Sequence, residues 1–311
     1  MSLKGRDLIT LQDFTRDEIK LLIDLAREYK LLSKSNAVPK ALKDKSIAML
    51  FALPSTRTRV SFEVAAFRLG ALPIYMRPGE LQLSRGEDIS DTAHVLSRYV
   101  DAIVARLLKH DQLLELASYS EVPVINALTN LYHPCQALAD LMTILEKKGA
   151  VKGVKVAYVG DGYNNVCHSL LIACSKMGIN ISIATPRGYE PDPDIVNDAM
   201  ENAHRSSSKI ELHDSPSEAI KDADVIYTDV FISMGREAEK EKRLRDFKGW
   251  QVTKELTKLA KPDFIFMHCL PAHRGEEVAP EVIDDPLHSV VWDQAENRLY
   301  TEMAILALLV P

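Results

Sequence analysis

A chain of 311 residues is too long for one ordinary core and about right for two domains. With 46% hydrophobic and 26% charged residues, and no apolar run long enough to cross a bilayer, the composition is that of a soluble globular protein and excludes a membrane span. A formal net charge of -6 argues against general affinity for nucleic acid, while a local basic cluster can still bind a small anion.

The first residues, MSLKGRDLITLQDFTRDEIK, interrupt with Asp and Glu where an export signal needs an apolar core, so a cytoplasmic location is expected. Asp17 to Leu32 then carries Ile19, Leu22, Ile23 and Ala26 at the spacing of an amphipathic helix, with Thr15 as its N-cap. Ser46 to Leu53 is an apolar run of strand length, and Val60, Val64 and Phe67 follow at helical spacing. Further strand-like runs lie at Ala102–Ala105, Val122–Ile125, Lys155–Val159, Ile179–Ala184, Asp224–Tyr227, Phe264–Met267 and Ser289–Trp292. Helical stretches separate most of them. The expected fold class is therefore α/β, with two lobes, each a mostly parallel sheet flanked by helices. The charged, Gly-punctuated stretch Glu146–Gly153 marks the boundary, with one domain ending at residue 146 and the next beginning at 147. The four cysteines, Cys135, Cys167, Cys174 and Cys269, show neither a CxxC pair nor zinc-ligand spacing, so reduced thiols are expected and no metal site.

Pro54-Ser-Thr-Arg-Thr-Arg59 falls between the first strand and the second helix. There, backbone N–H groups and the helix dipole make an anion site. Ser55 and Thr56 can cap the helix, while Arg57 and Thr58 can turn toward a bound oxyanion, and the planar Arg fork suits phosphate. Elsewhere such residues are commonly only a cap and a solvated cation.

Ser55-Thr-Arg-Thr-Arg59 followed by Val-Ser-Phe-Glu63, together with His133-Pro-Cys-Gln136 and with Arg106 closing Ile103-Val-Ala-Arg106, resembles the signature of the aspartate and ornithine carbamoyltransferase family. The resemblance runs over essentially the whole chain, and three dispersed motifs in order are far more specific than one. It implies that Ser55, Thr56, Arg57 and Thr58 hold the phosphate of carbamoyl phosphate, while Arg106, His133 and Gln136, with Pro134 and Cys135 beside them, meet the carbamoyl group. Gln82 stands where relatives extend a polar loop residue into a neighbouring subunit, which implies an oligomer with a shared site, a homotrimer or an assembly of trimers. Arg298, in Ala295-Glu-Asn-Arg298, resembles the arginine that closes the carbamoyl phosphate site. This would return residues 296–311 to the first domain, leave 147–295 as the second, and join the lobes by crossing helices. One departure is visible: Ala52-Leu53 replaces the Glu-Lys pair of many relatives.

The acceptor must be read from the second half. Gly160-Asp-Gly-Tyr-Asn-Asn-Val166 follows a strand but lacks GxGxxG spacing, and no acidic residue is placed for a ribose after the next strand, which argues against a nucleotide-dependent oxidoreductase. In the resemblance Asn165 is a ligand of the amino acid. Asp229-Val-Phe-Ile-Ser-Met-Gly235 looks like the substrate-closing loop of the ornithine enzymes. Asp229 suits a diamine's ammonium, and Ser233 and Met234 could orient the α-amino acid end. The charged run Arg236–Arg245 is expected to be mostly a solvated helix face. His268-Cys-Leu-Pro271 resembles the ornithine-type motif, in which Cys269 and Leu270 contact the carbamoyl group. Transfer to an amine needs no covalent intermediate, so positioning rather than nucleophilic attack is assigned to Cys269. The resemblance thus implies transfer of a carbamoyl group from carbamoyl phosphate to the δ-amine of L-ornithine, giving L-citrulline and phosphate, with Arg57, Arg106, His133, Gln136, Cys269 and Arg298 as the catalytic set. No cofactor is implied. An acceptor such as putrescine or an acylated ornithine is the alternative, and a non-catalytic homologue should have lost Arg57, Arg106 or His133, all of which are present.

Overall fold

Thr15 closes the first helix, Arg16–Ser33, by a reciprocal cap: its hydroxyl accepts from Glu18 N–H, and the Glu18 carboxylate accepts from Thr15 N–H. In the computed structural model, which describes residues 2–82, 86–233 and 235–311, the chain divides into two compact units, Met1–Leu138 with Asn297–Pro311, and Ala139–Glu296.

The first unit holds strands β1 (Ser46–Phe51), β2 (Leu72–Met76), β3 (Ala102–Arg106) and β4 (Val124–Leu128). They form a parallel sheet in the order β2-β1-β3-β4. β3 and β4 are buried along their whole length, as strands covered on both faces should be. β2 is different. It contains Pro73, sits at the sheet edge where proline is tolerated, and turns Leu72 and Ile74 to the outside. The helix Thr56–Leu69 packs through Phe62, Ala65, Ala66 and Leu69. Of the Val60, Val64 and Phe67 stripe, Val60 and Phe67 are exposed, so that stripe is not the core face.

The second unit holds β5 (Lys155–Val159), β6 (Asn180–Ala184), β7 (Ile210–His213), β8 (Val225–Thr228) and β9 (Ile265–His268). They form a parallel sheet in the order β7-β6-β5-β8-β9. Its core gathers Ala157, Val159, Ile226, Phe266, Val278 and Ile283.

The two-sheet parallel α/β fold expected from sequence is present. Two strands were not expected, β2 with its proline and the four-residue β7. The strand expected at Ser289–Trp292 is absent: Ser289 makes one isolated bridge to Phe266, and Val291 opens the helix Val291–Leu309. A short buried apolar run such as Val290-Val291 fits a strand or the first turn of a buried helix equally well, and periodicity does not separate them.

Candidate active site

In the order β2-β1-β3-β4, successive strands are added in opposite directions on either side of the β1–β3 pair, which opens a crevice at the carboxyl ends of those two strands. β1 leads there into Pro54–Thr58, and β3 ends on Arg106, whose carbonyl accepts from Ala52 N–H at 3.0 Å. Ser55 is the N-cap, its hydroxyl accepting from Thr58 N–H at 3.3 Å, and no acid lies in the helix's first turn to oppose an anion. Thr58 is buried, whereas Thr56 and Arg57 are exposed. Arg59 turns away, paired with Glu63 at 3.1 Å and stacked over Tyr75 at 3.8 Å.

Arg298 ties this region together. Its guanidinium donates to Gln136 Oε1 at 3.0 Å, to Thr58 Oγ1 at 3.4 Å, and to Glu302 Oε1 at 2.5 and 3.1 Å. Arg298, Gln136 and Glu302 are all buried. Burial pushes the Glu302 carboxyl up to about 7 despite the pull of Arg298. His133 lies in the loop between β4 and the helix Pro134–Lys148. Burial, reinforced by Arg298, Arg106 and Arg57, holds its imidazole well below the usual range, so it is neutral at physiological pH. Burial raises the Cys135 thiol to about 12, and that thiol donates to Asn126 O at 3.3 Å, leaving the backbone at the helix start as what Cys135 can offer a ligand. Gln82 is exposed, its carbonyl accepting from Glu87 N–H at 3.2 Å.

The second unit repeats the logic. In β7-β6-β5-β8-β9 the crevice opens between β5 and β8. The turn after β5 passes Gly162, where a Cβ would lie 2.7 Å from Tyr189 O, so that glycine serves close backbone packing. Asn164 then caps the helix Asn165–Met177, its Oδ1 accepting from Val166 N–H at 2.7 Å. Its Nδ2 donates to Asp229 Oδ2 at 3.0 Å and to Ser233 Oγ at 2.9 Å. From the end of β9, Cys269 Sγ donates to Asp229 Oδ1 at 3.1 Å. Asp229 is thus a buried carboxylate held by two neutral donors, and among the described residues no Lys or Arg pairs with it. Asn165, expected as a ligand of the amino acid, is half-buried as the first helical residue, and the neighbouring Asn164 donates to Asp229 and Ser233. Leu270 is half-buried and Met234 lies outside the described residues.

The run Arg236–Arg245 is largely solvated, but Arg243 is buried. Its guanidinium binds Asp161 at 2.6 Å, Glu239 at 2.8 Å and the Phe231 carbonyl at 3.0 Å, which anchors the segment leading from Asp229. Burial raises Asp161 to about 6, outweighing the pull of Arg243. Asp229, His268 and Cys269 approach one another closely enough to suggest a cation cluster. His268, however, has both ring nitrogens engaged, Nδ1 by Leu270 N–H at 2.9 Å and Nε2 by Glu277 Oε1 at 3.0 Å.

Asn164, Arg243 and Glu302 escaped the sequence reading. For Glu302 a signal existed, the spacing of four from Arg298 on one helix. Asn164 was one of two adjacent asparagines, and Arg243 one of many charges in its run.

Two parallel sheets, one carrying a capped turn suited to an anion beside a buried arginine and a neutral histidine, the other a buried acid held by an amide and a thiol, define a two-domain α/β enzyme suited to a small anionic substrate. Residues 6–146 match the model of the aspartate/ornithine carbamoyltransferase carbamoyl-P binding domain, and residues 152–309 that of the Asp/Orn binding domain. The chain belongs to this family. It is 58% identical over 309 residues to an ornithine carbamoyltransferase of Pyrococcus horikoshii, covering 99% of this chain and 97% of the relative. It is 58% identical over 308 residues to the anabolic ornithine carbamoyltransferase of Pyrococcus furiosus, with the same coverage. A solved Pyrococcus furiosus ornithine carbamoyltransferase superimposes with a TM-score of 0.96 at 57% identity, covering 100% of this chain and 98% of that one. The enzyme of Thermus thermophilus gives 0.87 at 41% identity, covering 98% of this chain and 99% of that one.

Proposed function

We propose that the chain transfers the carbamoyl group of carbamoyl phosphate to the δ-amine of L-ornithine. The observation that carries the choice of acceptor is Asp229, a buried acid with neutral donors around it. Such a carboxylate is costly unless a cation completes it, and a basic amino acid supplies one. An aspartate substrate would bring a second carboxylate to the same place and be repelled. Asn164 and Cys269 hold Asp229 in register, and Ser233, Asn165 and Met234 address the amino acid end.

In the first unit, Ser55, Thr56, Arg57 and Thr58 bind the phosphate at the helix start, with Arg298 behind them and Gln82 of a neighbouring subunit beside them. Arg106 and neutral His133 donate to the carbamoyl oxygen, where negative charge grows as the amine attacks. Gln136 accepts from the carbamoyl NH2, with Pro134 and Cys135 shaping the turn, and Cys269 and Leu270 meet the carbamoyl group and the reacting amine. The neutral amine attacks the carbamoyl carbon, a tetrahedral intermediate collapses, and phosphate leaves with the electron pair of the broken C–O bond and takes up the proton that the attacking nitrogen sheds.

The functional particle is a homotrimer or an assembly of trimers. This is supported by the outward-facing Leu72 and Ile74 of edge strand β2 and by Val60 and Phe67 on the adjacent helix, large apolar side chains that a neighbouring subunit would cover. No helix among the described residues is long and apolar enough to cross a membrane, and the cytoplasm is the proposed location. The anabolic name of the Pyrococcus furiosus relative favours citrulline synthesis as the working direction.

Calorimetry tests the phosphate end. Arg57→Ala is expected to abolish measurable carbamoyl phosphate binding while leaving the thermal midpoint within about 2 °C, because an exposed arginine placed for a ligand contributes little to the fold. Unchanged affinity in that variant would reject the assignment.

A further inference from the structure

Glu277 is fully buried in the segment that follows the His268-Cys-Leu-Pro271 motif, and nothing above gives it a role. One of its oxygens does two things. Oε1 lies 3.0 Å from His268 Nε2, and it accepts from His273 N–H at 2.7 Å. His268 stands at the start of the loop carrying Cys269 and Leu270, and His273 at its end, so a single carboxylate oxygen staples the loop at both sides.

The link through His268 is directional. Leu270 N–H donates to His268 Nδ1 at 2.9 Å, so Nδ1 must carry a lone pair, and the neutral ring's proton sits on Nε2, facing Glu277. A carboxylate at Nε2 selects that tautomer, as an outer partner does for a metal-bound histidine. The tautomer in turn provides the acceptor that Leu270 needs, because Leu270 has φ of 60°, a left-handed conformation that a branched side chain adopts only when its surroundings enforce it. The backbone N–H of His268 is itself fixed by Gln294 Oε1 at 2.9 Å, so the ring is the part Glu277 controls. The second oxygen of Glu277, Oε2, is buried with no hydrogen-bond partner among the described residues. Burying it weakens the fold, which fits a group kept for the shape of the loop rather than for stability.

We infer that Glu277 is a positioning residue for the transfer, acting through the His268 tautomer to hold Cys269 against Asp229 and Leu270 in its left-handed turn. The inference rests on the carbamoyl-transfer reading of Cys269 and Leu270, but its physical content can be measured without turnover. Cys269 is the half-buried thiol and Cys135, Cys167 and Cys174 are buried, so alkylation by iodoacetamide, located by peptide mass spectrometry, reads the loop. Glu277→Leu is expected to speed Cys269 alkylation about tenfold or more, while Glu277→Gln, which keeps an acceptor oxygen, stays within about threefold of the parent. In a His268→Asn background the amide oxygen replaces Nδ1 as the acceptor for Leu270, so Glu277→Leu should add less than about threefold, the remainder coming from the lost His273 N–H bond. The same Glu277→Leu chain should show a raised KM for ornithine with unchanged affinity for inorganic phosphate, which meets only the Ser55–Thr58 end, a split that general loosening of the fold would not give. Unchanged alkylation in Glu277→Leu, or an equal increase in both backgrounds, overturns the inference. Should Glu277→Leu not fold, nitrogen-15 NMR of the parent protein decides: Nε2–H with a bare Nδ1 on His268 is expected, and Nδ1–H would refute it. If ornithine proved not to be the acceptor, alkylation and tautomer would still report on Glu277, so the two failures are distinguishable.

Discussion

Because Glu302 is buried one turn beyond Arg298, its carboxylate takes two of the guanidinium's contacts at 2.5 and 3.1 Å and leaves the others aimed at Gln136 and Thr58. Glu302→Gln keeps the shape but halves the acceptor capacity and removes the charge, and should weaken carbamoyl phosphate binding about tenfold, roughly 1.4 kcal/mol. Its stability effect depends on pH. The folded carboxyl is raised from 4.5 to about 7, so the folded state holds this proton where the unfolded chain has released it. Wild-type stability therefore falls as pH rises from about 4.5 to about 7, relative to a chain without the group. Denaturant unfolding at pH 5 and pH 8 should show the variant gaining on the parent by up to about 3 kcal/mol across that interval, and a difference independent of pH would contradict it. His133 enters the rate profile differently. Burial and three arginines keep it neutral, so it does not titrate over the working range. An alkyl amine of pKa about 10.4 must lose its proton at a cost of about 4–5 kcal/mol at pH 7. Turnover should therefore rise with pH through the weakly alkaline range, and a flat profile from about pH 6 to 9 with chemistry rate-limiting would count against direct attack by the amine.

At the scale of elements, Phe231 and Glu239, after β8, are both tied to the buried guanidinium of Arg243. Arg243 secures the Phe231 carbonyl while bound to Asp161, and Asp161 in turn accepts from Tyr163 N–H at 3.1 Å, so the turn after β5 and the segment after β8 share an anchor. Arg243→Met strands a buried carboxylate and should destabilise the chain by about 3–5 kcal/mol at pH 8. Asp161 is raised to about 6 even with its partner and should take a proton more readily without it, so the loss should shrink at pH 5. Adding Asp161→Asn should recover most of the stability, with the KM for ornithine still raised because Phe231 remains unanchored; full recovery of that KM would show the anchor has no bearing on the acceptor. This element also shows where sequence reading stops. The turn at Ser55–Thr58 was legible because a capped helix after a strand leaves its chemistry in consecutive residues, whereas Arg106 and His133 were legible only through the family resemblance, since a lone arginine at a strand end or a histidine before a proline has an ordinary structural reading. Arg243 was not, since which member of a charged run turns inward depends on a partner 82 positions away. Asn164 and Asn165 have equal propensities, and only the helix start, which needs a cap at Asn164, separates them. Ser289–Trp292 read as a strand because Val-Val favours one locally, while the tertiary structure uses it to open a helix.

At the scale of the whole molecule, each unit is wound around its own strand-order reversal, and each reversal carries one half of the required chemistry. Ser55–Thr58 and Arg106 lie at the ends of β1 and β3 in one unit, and Asn164 and Asp229 follow β5 and β8 in the other. In the proposed reaction neither half suffices, since one would bind the leaving group and the other the amine. Converting a bimolecular step into a local one can supply about 7–11 kcal/mol, more than the deprotonation requires. The most direct measurement is a colorimetric citrulline assay of the purified chain with carbamoyl phosphate, comparing ornithine with aspartate, putrescine and acylated ornithines, in the parent and in Asp229→Asn. The account predicts citrulline from ornithine at a kcat/KM at least about a hundredfold above any other acceptor, with that preference collapsing in Asp229→Asn. Equal or faster carbamoylation of another acceptor by the parent, or a preference untouched by Asp229→Asn, would contradict it.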